Sequence, residues 1–171
     1  MLVMGILNVT PDSFADGGKH NDFEAAVSRG LEMIAEGVDI IDIGGESTRP
    51  GADRVSEDEE IARTIPVIKE LAKHGVKISI DTMRASTAKA AIEAGASIIN
   101  DVSGGLADPL MLQTAAALNV PYIAMHWRGQ SKDMNSKAIY GDVVSDVISE
   151  LQERIDAALD AGISADNLII D

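Results

Sequence analysis

VDIIDIGGESTRPG, residues 38–51, carries the reading that decides the fold. Val38 to Ile43 is a run of Val and Ile broken only by acids. A near-continuous aliphatic run of about five residues is the pattern of a strand covered on both faces, as in a parallel sheet. From Gly44 the chemistry changes. Three glycines, an acid, two hydroxyls, an arginine and a proline are packed into residues 44–51. Such a loop is rigid and donor-rich, and the Arg49 guanidinium matches a phosphate or carboxylate. In a plain surface turn the same arginine would simply be solvated.

The pattern recurs along the chain. Aliphatic runs stand at 3–9, 76–80, 97–100, 120–125 and 167–170 as well as at 38–43. Between them lie stretches with helical spacing and helix punctuation. Asn21 and Glu24 have cap spacing before the stripe Phe23, Val27, Leu31 and Ile34, and Gly37 ends it. Ser56 and Glu59 read as a capping box, with Pro66 inside the helix predicting a kink or two shorter pieces, and Gly75 as the stop. Residues 85–94 end at Gly95, Asp108–Pro109 opens the next helix, and Val143, Val147, Leu151 and Ile155 mark the last one over 142–161. Six strands alternating with five helices give an α/β fold with a parallel sheet.

Two architectures fit that order, a doubly wound sheet and a (β/α) barrel. No G-x-G-x-x-G follows the first run, which weakens a dinucleotide-binding sheet. Nearly every run instead finishes in a hydrogen-bonding residue: Asn8, Asp42 with Glu46, Asp81, Asn100 with Asp101, His126 and Asp171. In a barrel these ends converge on the face that carries the active site. Each is also a plausible cap or turn former; it is the repetition over six strands that favours a (β/α)8 barrel. A closed barrel takes eight strands and about 250 residues. The 171 residues here are expected to form a single domain that is an incomplete barrel, ending after strand six.

Composition narrows the function. The 14 basic and 28 acidic residues give a formal charge of −14, which argues against nucleic acid or an anionic membrane as partner. There is no cysteine, so disulfides, thiolate metal sites and Cys nucleophiles are excluded, and a cytoplasmic location is expected. No apolar run approaches a membrane span, and MLVMGILNV lacks the basic region of a signal peptide.

Three sets of residues carry candidate chemistry. In MGILNVTPDSFADGG, residues 4–18, Asn8 closes the run and Asp12 follows four residues later. An amide oxygen and a carboxylate suit a hard cation such as Mg²⁺, though Pro, Asp, Ser and Gly are also ordinary turn formers. The second set is the 44–51 loop. The third is Asp81, Asn100 and Asp171 at three strand ends. Carboxylates there are costly unless paired, and a flat heteroaromatic amine with several N–H donors would satisfy them. Asp81 and Asp101 could equally cap the helices that follow. His126 reads as catalytic or as a structural hydrogen bond, Trp127 as packing or a pocket wall, and the acids of 57–60 as a helix start favoured by the dipole.

These residues resemble dihydropteroate synthases. The matching segments are MGILNVTPDSFADGG, DIIDIGGESTRPGA, ISIDT, IINDVSGG, MHW and LIID, in order along essentially all 171 residues. The resemblance implies a barrel enzyme of folate synthesis, joining 6-hydroxymethyl-7,8-dihydropterin diphosphate to 4-aminobenzoate with release of diphosphate. It further implies that Asn8 binds Mg²⁺ with the diphosphate and that Asp12 organises metal and leaving group. Asp81, Asn100 and Asp171 would hold the pterin ring, while Thr48 and Arg49 order the second substrate, which sulfonamides mimic. A homodimer is the assembly the family implies. Family members continue past the last aspartate with Pro-Gly, a lysine near strand seven, and an arginine and a histidine near strand eight. On that ground these 171 residues alone are expected to be inactive or very weak. The competing readings are the pterin-binding barrel of a corrinoid methyltransferase, against which the diphosphate-type loops argue, and a non-catalytic pterin-binding or assembling module.

Overall fold

All six aliphatic runs become strands, and all five helical stretches become helices, in the computed structural model of the chain. The structure describes residues 1–10, 18–47 and 51–171. The strands are β1 (Met4–Asn8), β2 (Ile40–Gly44), β3 (Lys77–Asp81), β4 (Ile98–Asp101), β5 (Tyr122–Ala124) and β6 (Leu168–Ile170). They form one sheet in sequence order, each pair parallel. The helices are α1 (Gly18–Ala35), α2 (Glu57–Ala72), α3 (Ala85–Ala94), α4 (Met111–Leu118), α5 (Met134–Lys137) and α6 (Val143–Asp160). The four-residue α5, inside the β5–α6 connection, is not foreshadowed by any apolar period. None of the helices among the described residues is long and apolar enough to cross a membrane.

The aliphatic runs are buried on two different faces, as a parallel sheet requires. Leu7, Ile41, Ile43, Ile78, Ile80, Ile99 and Tyr122 form the main core with helix residues such as Val67, Ile68, Leu71 and Met111. Residues of opposite parity, Ile40, Ile98 and Ile123, make a smaller cluster on the inner face. At the sheet edges that inner face is open, with Ile6 67% and Ile169 44% exposed.

Three sequence expectations about helix ends need correction. α1 begins at Gly18, so Asn21 lies inside the helix. Asn is only mildly unfavourable in a helix interior, and capping preference did not fix the start. α2 runs through Pro66 as one element. Thr64 on one side and Val67, Ile68 and Leu71 on the other are all buried, and that packing outweighs the lost hydrogen bond. α4 begins at Met111 rather than at Pro109. The Asp108 carboxylate still accepts from Leu110 N at 2.9 Å, and its second oxygen accepts from Ala85 N at 2.8 Å, serving the start of α3. Elsewhere the signals act as read: Ser56 Oγ accepts from Glu59 N at 3.2 Å, and Gly95 ends α3 at φ 118°.

Candidate active site at the strand ends

Parallel register places the polar strand ends in one row. Asn8 pairs with Gly44, Gly44 with Asp81, and Asp81 with Asn100. Alternation points all four positions to the inner face, the side of Ile40 and Ile123. Asn100 Nδ2 donates to Asp42 Oδ2 at 2.9 Å, one layer deeper. A carboxylate can only accept, so this contact fixes the amide with its oxygen turned away from Asp42. Asp42 Oδ1 and the Ser79 hydroxyl, at paired positions of β2 and β3, are buried without a well-formed hydrogen bond. Burial raises the pKa of Asp42, opposed by the neighbouring Ser79 and Asn100 side chains.

Asp81 is strongly perturbed. Burial, followed by the negative charges of Asp42, Glu60, Asp101 and Glu46, pushes its carboxyl up to about 8. A carboxyl held this way gains from N–H donors on a ligand, which would stabilise its ionised form.

Two of the acids around it, Glu60 and Glu46, are held by a network that sequence reasoning missed. Glu60 on α2 is 1% exposed. It accepts from Thr82 Oγ1 at 2.6 Å and Thr87 Oγ1 at 3.2 Å, and Arg84 Nη1 donates to it as well. Arg84 also reaches Glu46 Oε2 at 3.0 Å and the Val55 carbonyl at 2.6 Å, while Arg54 donates to Glu46 at 3.0 Å. This ties the loop after β2 and the loop after β3 to α2. The acids at 57–60 had read as a helix start, but Glu60 is a buried anchor. Its signal, an acid at a helix N-terminus, is the same one an exposed acid gives.

Asp101 caps no helix. Its carboxylate accepts from Ser103 N and Gly105 N at 2.8 Å, Ser103 Oγ at 2.7 Å and Tyr122 OH at 2.8 Å. It folds its own loop and faces the helix layer. Nor does Asp81 cap α3, whose first amide is served by Asp108. His126 lies with Nε2 2.7 Å from Glu150 Oε2, and Arg128 donates to the same carboxylate while stacking 3.9 Å over the Tyr140 ring. Those contacts strap the loop after β5 to α6. Trp127 lines a shallow cleft there with Leu106, Arg128 and Arg154.

The structure thus brings Asn8, Asp81 and Asn100 together. Asp171 follows β6 at the sheet edge, exposed, its N–H donating to the Ala124 carbonyl at 3.0 Å. Alternation from Ile169, paired with Ile123, gives it the inner face. Asp12, Thr48 and Arg49 lie outside the described residues. Among the described residues no three acids or histidines cluster as a metal site.

Against known proteins, residues 4–171 match a family described as pterin binding enzyme. A dihydropteroate synthase of Bacillus subtilis is 52% identical, with 99% of this chain and 58% of that protein covered. One of Mycobacterium leprae is 49% identical over 99% of this chain and 60% of its own length. Among solved structures, the Xanthomonas albilineans dihydropteroate synthase with 4-aminobenzoic acid superposes with a TM-score of 0.91 at 48% identity, covering 99% of this chain and 60% of that one. The chain therefore spans about 60% of the length of such relatives.

Proposed function

The chain belongs to the pterin binding enzymes, and from that premise we propose that it carries the pterin-holding part of a dihydropteroate synthase site. The observation that supports this most directly is the register row Asn8–Gly44–Asp81–Asn100. It sets an amide whose orientation Asp42 fixes beside a carboxyl that ring N–H donors would ionise. A 2-amino-4-oxo heterocycle offers that pattern of donors and acceptors. Asp171, on the same face, would contact the ring from the opposite side.

The reaction we propose breaks the C–O bond between the pterin methylene and diphosphate and forms a C–N bond to the amine of 4-aminobenzoate, which loses a proton. Departure of diphosphate leaves positive charge on the methylene, and the acid-rich site stabilises it. Asn8 presents its oxygen toward the gap at Gly44. One such amide oxygen, with Asp12 from the following loop, suits Mg²⁺, a hard ion that keeps water and phosphate oxygens in its shell. When bound, it would supply charge to the leaving diphosphate. Thr48 and Arg49 would order the second substrate. No protein nucleophile is required. The cysteine-free composition fits a cytoplasmic setting.

The open inner face at β1 and β6 supports a second proposal, that these 171 residues alone leave the site unfinished. The test incubates the intact gene product, and the 171-residue chain beside it, with pterin diphosphate, 4-aminobenzoate and Mg²⁺. Dihydropteroate and diphosphate should appear in equal amounts from the intact product and at trace level from the chain. No dihydropteroate from the intact product would refute the assignment.

A further inference from the structure

The two glycines that follow Ile43 are there for different reasons. A Cβ built on Gly45 meets Thr64 Cγ2 at 2.8 Å and the Glu60 carbonyl at 3.2 Å. That is close packing of the chain against α2, and it accounts for Gly45 completely. Gly44 is not pressed against a helix or against backbone. Its backbone φ is not positive, so no turn requires a glycine there. It sits within paired strands, where a glycine weakens the sheet and often marks the close approach of something else. A Cβ on Gly44 would meet Asp81 Oδ2 at 3.2 Å and Asn8 Oδ1 at 3.5 Å. Both are ends of site side chains, one from each flanking strand.

Neighbouring strands lie about 4.8 Å apart, so Asn8 and Asp81 stand about two spacings from each other, pointing the same way. Between them the missing side chain leaves a saddle, bounded by an amide oxygen and a carboxylate oxygen. We infer that Gly44 is a specificity-determining position: its bare backbone is the passage through which a ligand held at Asp81 and Asn100 reaches across to Asn8. This rests on the reading of the site as a pterin diphosphate site and deepens it. The ring and its methylene carbon lie on the Asp81 side, the diphosphate lies on the Asn8 side, and the ester linkage between them crosses Gly44. A ligand confined to one side does not need the saddle.

The test compares Gly44→Ala and Gly45→Ala with wild type in the intact gene product. Thermal unfolding is followed with calorimetric binding of two probes, 6-hydroxymethyl-7,8-dihydropterin and its diphosphate ester, the latter with Mg²⁺. Gly44→Ala, which asks only the Asp81 carboxyl to give by a few tenths of an ångström, should melt well above Gly45→Ala and bind the free alcohol within about threefold of wild type. Its affinity for the ester should fall at least about tenfold further, since a methyl forced into space the ligand must fill is an overpacking cost. Gly45→Ala should melt lower and leave the ratio of the two affinities unchanged. The assignment is overturned if Gly44→Ala weakens both probes equally, weakens neither, or melts as low as Gly45→Ala. A wild type that binds neither probe would refute the pterin reading itself, and that is seen before any variant is compared.

Discussion

Replacing Asp81 with asparagine should stabilise the ligand-free protein, and by an amount that grows with pH. In the folded chain burial and the surrounding acids push the carboxyl to about 8, whereas its ordinary value is 3.8. The folded state therefore holds a proton that the unfolded state has lost everywhere between those values. Stability falls as pH rises through that window, by about 1.4 kcal/mol per unit at most. An asparagine has the same shape and no proton to lose. At pH 4 the two proteins should be nearly equal; at pH 7 the variant should be ahead by about 2–4 kcal/mol, the lower figure allowing for water reaching a side chain at the open end of the sheet. Urea unfolding at half-unit steps from pH 4 to 8 measures this. A difference that stays flat with pH would refute the account of Asp81, and one that shrinks would show its carboxyl is stabilised in the ionised form by something unrecognised. The stabilised variant should also bind pterin poorly, because the strained carboxyl is there for the ligand.

Other substitutions test the supports of the site. Glu60→Ala removes the acceptor from Thr82, Thr87 and Arg84, and although Arg84 keeps Glu46 and Val55 and Thr82 Oγ1 still accepts from Arg84 N at 3.1 Å, two buried hydroxyl protons lose their acceptor; a loss of about 3–5 kcal/mol in urea unfolding is expected, and under about 1 kcal/mol would contradict the network. Tyr122→Phe takes one of four donors from the buried Asp101 and should cost about 1–2 kcal/mol by the same assay. Asp142→Ala removes the cap that accepts from Ser145 N at 2.8 Å and should cost about 1 kcal/mol, read as amide exchange increased in the first turn of α6.

Much of this was legible in the sequence because the signals are local. The Ile and Val runs mark strands that are covered on both faces, and glycines such as Gly95 stop helices wherever they fall. The row of Asn8, Asp81 and Asn100 was readable because a hydrogen-bonding residue closed one aliphatic run after another. What stayed hidden depends on distant partners. Glu60 is buried by Thr82 and Arg84, more than twenty residues away in the chain, and a lone sequence shows only an acid at a helix start. Asp42 was visible as a strand-end acid, but its grip on Asn100 spans 58 residues. Of the two outcomes read from Pro66, a kink or two shorter pieces, the second does not occur, because packing on both sides of it holds α2 as one element.

The central claim is that the row of strand ends holds a pterin ring. The most direct test is calorimetric titration of the intact gene product with 6-hydroxymethyl-7,8-dihydropterin, wild type against Asn100→Ala. Asn100 is only partly buried, and among the described residues its side chain bonds to Asp42, so thermal unfolding of the variant is recorded beside the titration to confirm that it keeps its fold. The account predicts binding by the wild type and a loss of at least about tenfold in the variant, the cost of leaving ligand groups unpaired. Equal affinity for the two proteins would contradict it.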